Sequence, residues 1–206
     1  CAMVSRMRHR GLIVDAFKAT GVSLRRDILA MEDAGARNSM IFTDLGVITT
    51  TRKVGPALTR VMLTELAAKK PDVIVYELGD GILGTYGVDS ILDCEDIRKA
   101  QSTGIVLSAN DPVAAWGGVK LLRERFGVEP CVVTGPSTDN AVGVEIIEQQ
   151  MKVPAFNAMT SGAELGDCVI KAIGLDQKFP LPAAAGTPKA VNRSEEHTSE
   201  LQSRGL

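Results

Sequence analysis

Three charged side chains at the ends of apolar runs are the residues of this chain best placed to do chemistry: Lys18, Asp27 and Glu77. Glu77 closes the run Asp72-Val-Ile-Val-Tyr76, which reads as a buried strand, and the glycine-rich stretch Leu78-Gly-Asp-Gly-Ile-Leu-Gly-Thr-Tyr-Gly87 follows at once. In open parallel α/β sheets, ligands bind outside the carboxyl ends of the strands. An acid there, with flexible backbone behind it, suits a magnesium-nucleotide or acidic-substrate site; a plain turn with a solvated acid has the same sequence. Lys18 stands where a strand from Gly11 to Phe17 runs out. It can bind a phosphate or carboxylate as a point charge, or extend into water as a rim lysine. Asp27 falls in the first turns of a helix whose N-terminus faces the same edge, where the helix dipole also favours an acid. Arg25 and Arg26 bind anions or are solvated.

Other polar segments have weaker signals. Asn110 and Asp111 before Pro112 read as a cap and a first-turn proline. The loop Thr134-Gly-Pro-Ser-Thr-Asp-Asn140 reads either as an approach to a base or substrate, or as a turn with its cap. Trp116 is expected in the core and His9 at a surface helix end. The chain has no zinc-ligand spacing, no G-x-S-x-G and no G-x-x-x-x-G-K-[ST].

The elements that must position these groups alternate. Strands are expected at Gly11–Phe17, Ser39–Phe42, Val73–Tyr76, Gly104–Ser108, Pro130–Thr134 and Pro154–Phe156. Helices are expected at Leu24–Ala34, Val54–Lys69, Pro112–Phe126, Asn140–Met151 and Gly162–Gly174, with one or two short ones within Val88–Gln101. Continuous apolar strands between helices point to a mostly parallel sheet covered on both faces, a three-layer α/β sandwich built from βαβ units.

Over 206 residues, 23 Lys and Arg against 25 Asp and Glu leave a net charge of −2, with 45% hydrophobic residues. That balance suits one soluble domain, residues 1–174, and argues against nucleic acid as main partner. No apolar run reaches membrane-span length. Four scattered cysteines read as reduced and the protein as cytoplasmic, with Cys131 and Cys168 buried. Residues 175–192 read as a Pro/Ala-rich linker or end. Arg193-Ser-Glu-Glu-His-Thr-Ser-Glu-Leu-Gln-Ser203 reads as the translation of a common sequencing adapter, so residues 193–206 are expected to be an artefact of no functional weight.

The order of these motifs resembles dethiobiotin synthetase and its relatives among the P-loop NTPases. Phe17-Lys-Ala-Thr-Gly21 is similar to that family's lysine-bearing strand end, Asp27-Ile-Leu-Ala-Met31 to its magnesium-site helix, and Tyr76-Glu-Leu-Gly-Asp-Gly81 to its second acidic segment. Ala2–Arg10 fits the helix that follows a Walker A loop. The resemblance thus implies a phosphate-binding loop and a first strand before Cys1, so that the fragment itself is expected to be inactive, with a gap near the middle of its sheet. It departs from the family in Leu78-Gly-Asp-Gly81, in the added charge of Asp80 and in having no adenine-reading Asn within Val133–Ser137.

The resemblance implies an ATP-dependent, magnesium-requiring, ligase-like enzyme acting on a small carboxylate or amine. Asp27 and Glu77 would place magnesium, Lys18 and Glu77 would be catalytic, and Thr20, Gly79 and Gly81 would shape the cofactor and substrate loop. A homodimer is a further expectation. Two alternatives stay open: a nucleotide-dependent switch docking a partner protein, and the P-loop domain of an amino-acid N-acyltransferase-like protein.

Overall fold

A computed structural model of the chain describes residues 1–98 and 103–177. The adapter-like tail, most of the expected linker and the end of the helical stretch at 99–101 lie outside the described residues. Helix α1 (Ala2–His9) precedes strand β1 (Val14–Thr20), α2 (Arg25–Asp33) and β2 (Ser39–Ile41). A 3-10 turn at Phe42–Leu45 leads to α3 (Gly55–Ala67) and β3 (Val73–Leu78), followed by α4 (Val88–Asp93) and α5 (Glu95–Arg98). The second half holds β4 (Val106–Ser108), α6 (Pro112–Phe126), β5 (Val132–Thr134), α7 (Ala141–Ile146), a π-helical turn at Ile147–Met151, and α8 (Gly162–Ala172).

The fold is α/β with parallel strands, but the sheet is in two pieces. One has the order β2-β1-β3 and the other pairs β4 with β5. The strand expected at Pro154–Phe156 is only a bridge from Ala155 to Val133. Strand β1 is bonded on both sides and buried along its whole length. Pairing with β3 carries it past Phe17, so Lys18 and Thr20 lie within the strand rather than beyond it. The same pairing carries β3 on through Glu77 to Leu78.

Side chains alternate between the two faces of a strand. Val14 and Ala16 of β1 enter one core with Val4, Met7, Leu165 and Val169 of α1 and α8, while Phe17 and Ala19 enter another with Met62 and Leu66 of α3. Helices thus cover both faces of the three-stranded piece. Val132 of β5 is buried in the same core as Val14, and Val73, Val75 and Val106 pack against it. Apolar contact joins two sheets that backbone hydrogen bonds leave apart. A third core holds α6 against β4, β5 and the π turn.

Helix α1 crosses α8 closely. A Cβ on Gly166 would stand 2.5 Å from Arg6 Cβ, so glycine is required there. Arg6 and Arg10 both pair with Asp167, at 2.6 and 2.7 Å.

Two expectations about burial are corrected. Trp116 is 51% exposed, with the Lys120 ammonium 5.1 Å from its ring centre. The buried stripe of α6 is Ala115, Val119, Leu122 and Phe126, and Trp116 is rotated one residue off it. Cys131 and Cys168 are half-buried rather than fully buried; burial raises the pKa of both thiols. The turns around α6 match their chemistry. Asp111 accepts a hydrogen bond from Ala114 N at 2.8 Å, and Gly127 stops the helix in the left-handed region at φ 63°.

Candidate functional site

Parallel pairing sets Lys18 of β1 beside Glu77 of β3, register partners near the carboxyl ends of their strands. Both lie on the face covered by α1 and α8, in step with Val14, Ala16, Val73 and Val75. Lys18 is buried. Its ammonium pairs with Asp27 in the first turn of α2 and lies 3.7 Å from Glu77 Oε1. Asp27 also lies 3.7 Å from Arg26 Nε. The tertiary structure therefore gathers Lys18, Asp27 and Glu77, which are 9 and 59 residues apart in pairing. A buried ammonium is tolerated because two carboxylates face it.

Thr20 and Gly79 join the cluster. Thr20 Oγ1 donates to Gly79 O at 3.1 Å, and a Cβ on Gly79 would meet Thr20 O at 3.0 Å and Glu77 Oε1 at 3.4 Å. Gly81 does not join it at close range; it turns the loop at φ 78°, with nothing within 4 Å of a Cβ placed there. Arg25 pairs with Asp44 at the surface, at 3.3 Å. His9 is exposed and bonds its own helix.

Asp80 and Thr50 complete the neighbourhood. Asp80 holds a left-handed backbone at φ 69°, and a Cβ on Gly21 would stand 2.7 Å from its Oδ2 and 3.6 Å from Lys18 Cε. Thr50 is buried and accepts a hydrogen bond from Gly21 N at 3.1 Å. Thr50 carried no sequence signal, since Thr49-Thr-Thr51 reads as an ordinary polar loop. The N-terminus of α1 faces this group on the side of Glu77. Cys1 Sγ reaches Ala30 O of α2 at 3.4 Å.

One ammonium against the carboxylates of Asp27, Glu77 and Asp80 makes the cluster acidic, and suited to a cation. Among the described residues no group of three or more His, Cys, Asp or Glu is arranged to hold a metal ion. A magnesium ion needs less than that, because it keeps several waters and takes only one or two protein carboxylates beside substrate phosphates. The pair Asp27 and Glu77 fits that need.

A depression of about 340 Å³ lined by Gly117, Lys120, Leu121, Glu124 and Arg125 lies on α6, away from the strand ends. Among the described residues no helix is long and apolar enough to cross a membrane. No family model, no curated protein and no solved structure matches the chain.

Proposed function

We propose that this chain belongs to an ATP-dependent, magnesium-requiring enzyme of the dethiobiotin-synthetase-like class, acting on a small carboxylate or amine substrate. The observation that carries the reading is the buried Lys18 ammonium held between Asp27 and Glu77, at the carboxyl ends of adjacent parallel strands and facing the N-terminus of α1. Ligands of open α/β sheets bind at that edge, and helix N-termini favour anions. The finer description of the fold as a three-layer P-loop-like sandwich belongs to the same proposal.

Asp27 and Glu77 would hold magnesium, directly or through water, and the ion would supply charge neutralisation at phosphate oxygens. Lys18 holds positive charge at a buried position, where it counters negative charge on a phosphoryl or carboxylate oxygen. Thr20 and Gly79 fix the start of the loop after β3, and Gly81 turns it. Catalysis of this kind is positioning and electrostatic stabilisation.

Glu77→Gln removes one carboxylate charge at nearly constant shape. In the full-length protein the variant is expected to keep the wild-type circular dichroism spectrum while losing ATP-dependent turnover by about a hundredfold or more. Undiminished turnover would sink the proposal.

A second reading, a nucleotide-dependent switch that docks a partner protein, is favoured by the apolar residues beside the site. Ile48 is 83% and Leu83 75% exposed, in the loops that flank it. Slow hydrolysis that accelerates only when a partner is added would select this reading; a substrate-dependent product without a partner would select the first.

A further inference from the structure

Thr134 ends β5, is 8% exposed, and among the described residues its Oγ1 is the buried side-chain oxygen with no hydrogen-bond partner. A buried hydroxyl without a partner is costly and calls for a ligand or water. Thr134 lies on the same strand face as Val132, the face covered by α1 and α8. Its register partner on β4 is Ser108, an exposed residue. Val106 and Ser108 follow the same alternation.

The N-terminus of α8 comes to the same level. Cys168 Sγ lies 3.7 Å from Cys131 O. From that contact, three residues along β5 to Thr134 rise about 10 Å, and six residues back along α8 to Gly162 rise about 9 Å. Gly162 also adjoins the first turn of α1, since its Cβ would stand 3.2 Å from Ala2 Cβ. Ser161 at the N-cap of α8 makes no side-chain cap, and the first-turn amides of a helix have no partner within it. Asn157 Oδ1 takes the amides of Met159 and Thr160 in the loop before it, not those of the helix. Glu164 stands in this first turn with its side chain exposed.

We propose that Thr134 Oγ1 and the first-turn amides of α8 bind an anionic oxygen, from a carboxylate or phosphate group of a small ligand, with Ser108 Oγ at the rim. The inference does not depend on the nucleotide reading, because none of these groups contacts Lys18, Asp27 or Glu77. It places a second, anion-selective subsite on the same sheet edge as the acidic cluster.

The test is titration of the whole chain with inorganic phosphate and, separately, with acetate, followed by thermal shift and by amide NMR. Saturable binding of either anion is expected, with the largest amide shifts at Gly162 and Ala163. Phosphate alone would identify a phosphorylated ligand, and acetate a carboxylate; either result supports the site. Thr134→Val is expected to raise the ligand-free thermal midpoint by about 2–4 °C, because it removes an unpaired hydroxyl, and to weaken anion binding at least tenfold. Thr134→Ser should restore binding. No saturable binding of either anion, or equal affinity in the Thr134→Val variant, overturns the proposal.

Discussion

Lys18 has its charge satisfied on the protein side by two carboxylates, and the backbone around it is shaped to keep it so. Gly21 is the residue on which this depends most directly. It sits at φ 104°, where an L side chain is strained, and a Cβ there would strike Asp80 Oδ2 at 2.7 Å. Gly21→Ala is therefore expected to lose about 1–3 kcal/mol of stability, read as a lower urea midpoint at unchanged slope. A variant as stable as wild type would show that the loop after β3 moves aside freely. The same loop holds Asp80 at φ 69°, so both sides of the contact carry backbone that favours glycine or a short polar residue.

At the level of elements, the α1–α8 pair is held by one carboxylate shared between two arginines. Hydrogen bonds from Arg6 hold the Asp167 pKa below the usual carboxylate value; burial opposes this, and Arg10 adds to the lowering. A group whose folded pKa is depressed stabilises above its unfolded pKa, about 3.9 for Asp. That contribution is lost as pH falls through the folded value. Asp167→Asn is expected to cost about 1–3 kcal/mol at neutral pH. Its stability gap from wild type should narrow as pH drops below about 4 and close once Asp167 is protonated in the folded protein. Parallel pH–stability curves for the two proteins would place the clamp outside the energetics of folding. The crossing itself is set by packing, with Gly166 against Arg6.

At the scale of the whole molecule, the α1–α8 core joins both pieces of the sheet. Leu165 is 2% exposed within it, beside Val14 of β1 and Val132 of β5. Leu165→Ala is expected to cost about 2–5 kcal/mol and to lower the midpoints of both halves together, in a single transition seen by fluorescence and circular dichroism. Two separated transitions would mean that the β2-β1-β3 and β4-β5 units fold independently. The division of the sheet has a physical correlate in β3. All six of its residues are only partly buried, whereas β1, paired on both sides, is buried throughout.

The amino-acid sequence by itself determined the alternation of elements and the acids and lysine worth watching. Local signals suffice for these: apolar runs, Asp111 before Pro112, and glycines after β3. The bounds of α6 and the presence of short helical structure after Gly87 were legible for that reason. Strand ends were not, because pairing with a neighbour, rather than local preference, carried β1 to Thr20 and β3 to Leu78. Trp116 was misplaced because an apolar residue beside a buried stripe differs from one within it only by helix rotation. Only tertiary structure decided that Lys18 meets both Asp27 and Glu77, that Thr50 supports Gly21, and that the Thr134 hydroxyl lacks a partner. Each of these depends on contacts between segments far apart in the chain, and such contacts are set by register and packing across the whole sheet rather than by any local run of residues.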